Sequence, residues 1–146
     1  MLVFSIEDEN VKIFMNKILL GNVLDNYYVR LIEIESMAKF TIDCNISKNL
    51  CNWTEIKPFA LNIIKGSQKP KRMKMIFSYD PEQLETFHSN ASALFLNIHF
   101  EDGKVRGSTG TSQKTFSLEK DMDEKWSQHI IEFFRHNDIF ISTHLD

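Results

Sequence analysis

Two octets of the chain share one pattern, and this repeat constrains the fold more than any other feature. Residues 14–21 and 59–66 both begin with Phe, carry Ile and a second aliphatic residue at matching places, and end in Gly. Each octet closes a segment of helical periodicity, so Gly21 and Gly66 are predicted to follow a helix with positive φ. One β-like stretch precedes each octet and two follow it. The pattern predicts a duplicated β-α-β-β unit, or else two unrelated amphipathic helices that end alike.

The size and composition fit one globular domain. The chain has 146 residues, of which 42% are hydrophobic and 25% are charged. That length is sufficient to bury a core. The N-terminus lacks the basic start and long apolar run of a signal peptide, and no stretch is long enough to span a membrane. Cys44 and Cys51 have no second pair with which to bind zinc. We therefore expect a reduced, cytoplasmic protein without membrane contact.

Two helices are predicted to pack through apolar stripes at helical spacing. The stripes consist of Val11, Phe14, Met15 and Ile18 in the first helix, and of Ile56, Phe59, Ala60, Ile63 and Ile64 in the second. Pro58 is expected near the start of the second helix, because a Pro deeper in the helix removes a hydrogen bond. Ile13 and Leu20 lie on the opposite side of the first helix. They predict a second contact surface, such as another subunit.

Period-two alternation predicts the strands. They span residues 2–6, 27–35, 39–46, 71–79, 94–100 and 104–112, and residues 115–118 continue or follow the last of them. Within residues 71–79, the alternation turns Met73, Met75 and Phe77 inward and Arg72 and Lys74 outward. The dipeptide 102–103 is Asp-Gly, which favours a type I′ hairpin turn and places His99 opposite Arg106.

A last helix opens at Asp121, carries Trp126 and Phe134 on its apolar side, and stops at Asn137. Residues 139–141 then return as an edge strand. The predicted fold is therefore α+β, with an antiparallel sheet, helices packed on one side and an extra C-terminal helix. The single domain, 1–146, divides into a first β-α-β-β unit (1–46), a second unit (47–118), and a C-terminal helix and tail (119–146).

A basic segment is the first candidate site. No Asp or Glu occurs between Ile56 and Tyr79, although the net charge of the chain is −3. The candidate residues for contact with nucleic acid or a partner are Lys65, Lys69, Lys71, Arg72 and Lys74. Lys and Arg bind phosphates without reading bases, so such contact is expected to be independent of sequence. The competing interpretation is that this charge block is ordinary solvated surface.

A polar stretch is the alternative candidate, as a site for an anionic or phosphorylated small molecule. Its residues are Ser108, Thr109, Thr111, Ser112 and Lys114. A phosphate-binding P-loop requires Gly directly before Lys and a helix after it, whereas Gln113 precedes Lys114 and a strand is favoured after it. We therefore reject a nucleoside-triphosphate site. The simplest interpretation of the stretch is a polar edge strand.

No catalytic residue, metal site or cofactor is predicted. The five histidines form no dense ligand cluster and no H-E-x-x-H pair. Neither Ser nor Cys lies in a nucleophile-elbow context. Distant residues can still converge in space, so these patterns leave an active site open.

The order of elements from Leu2 to Leu118 resembles one domain of the DNA sliding clamps, with the second octet as the second clamp helix and residues 94–118 as the closing meander. That resemblance implies a duplicated β-α-β-β fold. Clamps join several such domains into a ring around DNA, whereas this chain has one and adds a C-terminal helix. The chain is also similar to an uncharacterised bacterial family in which Phe-Met-Asn-Lys (residues 14–17) and Gly-Thr-Ser-x-Lys-Thr-Phe (residues 110–116) recur. That family implies no activity.

The sequence favours a non-enzymatic cytoplasmic binding or interaction module that contacts nucleic acid through its basic segment, or a protein partner or second copy of the chain. The alternative is a small enzyme acting on an anionic or phosphorylated small molecule near residues 108–114. A concave pocket that joins Lys114 to a carboxylate or His favours the enzyme. A shallow, continuous basic face favours the module.

Overall fold

Eight strands form one antiparallel sheet in the computed structural model, which describes residues 1–46 and 49–145. The strands are β1 (Leu2–Ile6), β2 (Tyr28–Glu35), β3 (Lys39–Asp43), β4 (Cys51–Asn52), β5 (Arg72–Ser78), β6 (Ala91–Glu101), β7 (Lys104–Gln113) and β8 (Ser142–Leu145). Their order in the sheet is β3-β2-β5-β6-β7-β1-β8, and the short β4 also pairs with β2. The long β6–β7 hairpin therefore lies near the middle of the sheet.

The described chain also contains four α-helices. They are α1 (Val11–Leu19), α2 (Trp53–Gly66), α3 (Leu84–Phe87) and α4 (Asp121–His136). Asn52 caps α2, because its side chain accepts a hydrogen bond from the Thr54 N–H while Glu55 accepts one from the Asn52 N–H. The Asp80 side chain caps a 3₁₀ turn, Pro81–Gln83, that leads into α3. In both cases a side chain therefore caps the first turn.

The helices pack on one face of the sheet, where the alternation of each strand places its large apolar side chains. Phe134 of α4 contacts the ring of Phe4 in β1, and Trp53 of α2 contacts the ring of Phe77 in β5. The two indoles also bind backbone, since Trp53 Nε1 donates to Ile18 O at 3.2 Å and Trp126 Nε1 to Phe95 O at 2.9 Å. The predicted fold class, an antiparallel sheet with helices on one side, is confirmed.

The prediction that the polar stretch around residues 108–114 forms an edge strand is wrong, because β7 lies between β6 and β1. Its small residues serve the core. A Cβ built on Gly107 meets Phe4 Cζ at 2.2 Å, so the absence of a side chain makes room for that ring. Thr109 is fully buried, and its Oγ1 accepts a hydrogen bond from the Leu2 N–H at 2.9 Å. Residues 115–118 are irregular and do not extend the strand.

The second helix differs from its prediction. α2 begins at Trp53, so Pro58 lies inside the helix rather than near its start. Phe59 points to solvent with 62% of its surface exposed, whereas Phe14 is 2% exposed. The predicted burial of Phe59, and with it the equivalence of the two residues, is wrong. Ile56 and Ala60 are buried as predicted, because they share a face with Trp53 that Phe59 does not.

The structure agrees with one further local prediction and corrects others. Asp102 and Gly103 both have positive φ, as the predicted type I′ turn requires. Gly21 and Gly66 do not have the positive φ that was predicted for them. β3 ends at Asp43 instead of continuing to residue 46 as predicted, and Ile46 is exposed. The C-terminal edge strand begins at Ser142 instead of spanning residues 139–141. The predicted boundary between residues 46 and 47 adjoins positions outside the described residues. The division into 1–46, 47–118 and 119–146 stays a prediction.

Candidate functional site

The candidate site is the side of the sheet opposite the helices, which we call the open face. Lys74 of β5, His99 of β6 and Arg106 of β7 are direct cross-strand neighbours there. Arg72 lies one step along β5 on the same side. His99, Arg106 and Arg72 are exposed and Lys74 is half-buried. Three adjacent strands therefore bring a row of basic side chains together in the central part of the sheet.

The pKa of the His99 imidazole reflects both its burial and the cations around it. Partial burial lowers the pKa of the His99 imidazole, and the positive charges of Lys74, Arg72 and Arg106 lower it further. Only Glu101 acts in the opposite direction. Neighbouring positive charges disfavour one another, so an anion bound beside His99 would reduce their repulsion.

Acidic residues border the row on the side of β2. Glu33 is the cross-strand neighbour of Lys74, and Glu35 lies 3.8 Å from Arg72 Nε. Lys39 binds Glu33 at 2.8 Å, and this hydrogen bond is the main cause of the lowered pKa of the Glu33 carboxyl. Towards β7, Arg106 makes no ion pair with any residue that the structure describes.

Hydrogen-bonding and aromatic groups lie beside the row. Asn97 Nδ2 donates to Ser108 Oγ at 3.3 Å, and both side chains are half-buried on the open face. The Arg30 guanidinium lies 4.8 Å above the centre of the Phe95 ring. A wide depression of about 1020 Å³ borders the row. Its lining includes Arg72, His99, Arg106 and Ser108, and also the acidic residues Glu7, Asp8, Glu9, Glu101 and Asp102. The open face therefore combines cations, amide and hydroxyl groups, and an aromatic ring.

The structure divides the predicted basic residues between two places. Arg72 and Lys74 lie on the open face as the alternation predicts. Lys65 lies in the last turn of α2, and Lys69 lies in the segment between α2 and β5. Lys71 is exposed just before β5, where its N–H donates to Glu35 O. The acid-free run in the sequence is therefore not one acid-free surface.

The alternative anion-site residues are also dispersed. Ser108 lies on the open face, whereas Thr109 is buried on the helix side, against Ser127 of α4. Thr111 is half-buried on β7, and Ser112 Oγ accepts a hydrogen bond from Ser92 Oγ. Lys114 binds Glu85 at 3.0 Å, with 82% of the Glu85 side chain exposed. That pair is an open surface contact and not a concave pocket.

The reactive side chains of Cys44, Cys51 and Tyr27 pack in or against the hydrophobic core. Burial raises the pKa of the Cys44 thiol to about 12, and Cys51, also reduced, lies beside it. Tyr27 is buried in an aromatic cluster with Tyr79 and Phe133, and burial raises the pKa of its hydroxyl. Within the described residues, no group of three His, Cys, Asp or Glu is placed to hold a metal ion. Nor is any helix in that part of the chain both long and apolar enough to cross a membrane.

The comparison with protein-family models gives one match, over residues 17–141. The chain belongs to the DUF5721 family, a family of unknown function. This agrees with the similarity to an uncharacterised family, while the resemblance to a sliding-clamp domain is not confirmed. No curated protein and no solved structure matches the chain. The function of this DUF5721 protein must therefore be inferred from its own surface.

Glu33, Glu35 and Phe95 were not identified from the sequence as part of the open face. Glu33 and Glu35 alternate with buried Ile32 and Ile34, so their outward direction was readable from the pattern. Their place beside β5 was not readable, because β2 and β5 are far apart in sequence. Phe95 lies next to buried residues in a mainly apolar run, which hides its outward direction.

Proposed function

We propose that this protein is a non-enzymatic binding module whose open face holds single-stranded nucleic acid. The observation that carries the proposal is the cross-strand row of Lys74, His99 and Arg106 on a sheet face away from the helices. Such a row binds backbone phosphates through charge and hydrogen bonds. Binding of this kind is insensitive to sequence and weakens steeply as salt rises.

The groups beside the row favour a single strand over a duplex. Bases of a single strand are free to stack on a guanidinium plane, and Arg30, which lies over the Phe95 ring, offers such a plane. Asn97 and Ser108 lie between this pair and the basic row, within reach of base or sugar groups. A duplex hides its base faces, so it would use the phosphate contacts alone.

The acidic border limits the strength of binding. The net charge of the chain is −3, and Glu33 and Glu35 stand beside the row. Long-range attraction of a polyanion is therefore small, and the contact is local. We expect weak binding that is detectable at low salt.

The test is a salt titration of binding, by fluorescence anisotropy, to a random single strand and a random duplex. The double variant K74E/R106E reverses two charges of the row, and we expect it to abolish binding to the single strand. The matched control is K65E/K69E, which changes the net charge equally at positions outside the row. We expect the control to bind with a modest loss. Equal binding by K74E/R106E and the control, with circular dichroism showing both folded, would reject the proposal.

The setting of this function is part of the proposal. The sequence predicts a cytoplasmic protein, and the similarity to a bacterial family implies a bacterial source. The clamp-like duplication stays a prediction. A solved structure of another family member can test it, by superposing the segment that corresponds to residues 1–46 on the segment that corresponds to residues 47–118. The binding site proposed here depends on neither.

A further inference from the structure

We infer that two copies of this chain associate through a surface around Phe140, which lies between α4 and β8. Phe140 is 75% exposed, although its neighbour Ile139 is buried. Ile13 of α1, also exposed, and Ile131 and Ile141, half-buried, surround it. We call these four residues, Ile13, Ile131, Phe140 and Ile141, the Phe140 surface.

Phe140 projects between two depressions. One, of about 70 Å³, is lined by Ile13, Phe14 and Ile139, together with Ile6 of β1. The other, of about 590 Å³, is lined by Ile131 and Ile141. The larger depression is also lined by the polar residues Gln128, Arg135, Asp138 and Thr143, so it is apolar on one side only. A protruding ring beside such a groove can serve both partners of a two-fold interface, because each copy inserts its ring against the apolar side of the groove of the other.

The charges at the rim support a second copy as the occupant. Arg135 and Asp138 both line the larger depression and are exposed. Neither side chain has a charged partner among the residues that the structure describes. Two-fold symmetry lets Arg135 of each copy face Asp138 of the other, so one surface supplies both halves of the complementarity.

The neighbouring sheet edge adds to this surface. β8 is the last strand of the sheet, so in the described chain its outer edge has no strand beside it. Exposed edges of this kind pair readily with another chain. The Phe140 surface lies beside this edge, with Ile13 and Ile131 on the helix layer. The dimer therefore leaves the row of Lys74, His99 and Arg106 uncovered, and it does not depend on the proposed function.

The first test measures the mass of the purified chain by sedimentation equilibrium over a range of concentrations. We expect a reversible dimer for the natural sequence and a monomer for F140D. F116D is the matched control, because Phe116 is 82% exposed and lies in the irregular segment after β7. We expect F116D to remain a dimer. A natural chain that is monomeric throughout, or a dimer that F140D leaves intact, overturns the inference.

The second test uses charge reversal and identifies a second copy as the partner. R135E alone and D138K alone each place like charges across the two-fold axis, so both are expected to be monomeric. An equimolar mixture restores both pairs and is expected to form the mixed dimer. Asp138 has a φ of +55°, which Lys tolerates poorly, so D138N provides a second variant that removes the charge and keeps the backbone favourable. Failure of the mixture to associate, with both variants folded, overturns the pairing.

Discussion

The ring of Phe4 occupies the space that a side chain at Gly107 would fill. A Cβ at Gly107 meets Phe4 Cζ at 2.2 Å and two further ring carbons at 2.7 Å. The ring is held from the other side by Phe134 of α4, with the two ring centroids 5.2 Å apart. The glycine is therefore a packing requirement of the sheet beneath α4, and not a sign of a phosphate-binding loop.

The variant G107A is expected to destabilise the protein by about 1–3 kcal/mol, because the added methyl group forces the Phe4 ring to move in a close-packed core. G110A is the control. A Cβ at Gly110 meets only Phe95 atoms, at 3.6 Å and beyond, which is ordinary contact. Urea denaturation of both variants checks this. Equal midpoints for the two would contradict the packing role of Gly107.

Phe14 and Phe59 are expected to respond differently to truncation. F14A removes a buried ring that contacts Phe134, and should lower the free energy of unfolding by about 3–5 kcal/mol. F59A removes an exposed ring and should change that free energy by less than about 1 kcal/mol. Thermal or urea unfolding measures both. A large loss in F59A would show that α2 buries the face carrying Phe59.

Two histidines are expected to make the protein less stable in mild acid. Burial lowers the pKa of His129, and burial with neighbouring cations lowers that of His99. Near and below the ordinary histidine pKa of about 6.5, the unfolded chain therefore binds more protons than the folded one. The free energy of unfolding falls as the pH drops through this range. Denaturation midpoints between about pH 7.5 and pH 5 measure the slope. H129Q should flatten it, and a slope unchanged in H129Q would contradict this assignment.

Local signals account for much of what could be predicted from the sequence. Alternation gave β1 its observed limits, and the Asp102-Gly103 turn gave the pairing of His99 with Arg106. Each of these features depends on residues that are close in the chain, where sterics and hydrogen bonding act directly.

Long-range neighbours could not be predicted in the same way. The residues near β7 in sequence do not indicate that it lies between β6 and β1, so its small polar residues were interpreted as an edge strand. The helical stripe of α2 was misassigned because Trp53 lies before the expected helix start and selects the buried face. In the candidate site, the outward direction of Arg72 and Lys74 and the pairing of His99 with Arg106 were predicted. The two pairs, and Glu33, come together only through the pairing of strands that are distant in sequence.

The pKa of His99, followed by NMR at low salt with and without a random single-stranded oligonucleotide, tests the central claim most directly. Phosphates bound between Lys74 and Arg106 offset the positive charges that lower this pKa, so we predict that it rises when the oligonucleotide is added. His136, in the last turn of α4, should keep its imidazole signals unchanged and serves as the internal control. A His99 pKa that stays the same at saturating oligonucleotide would contradict binding on the open face.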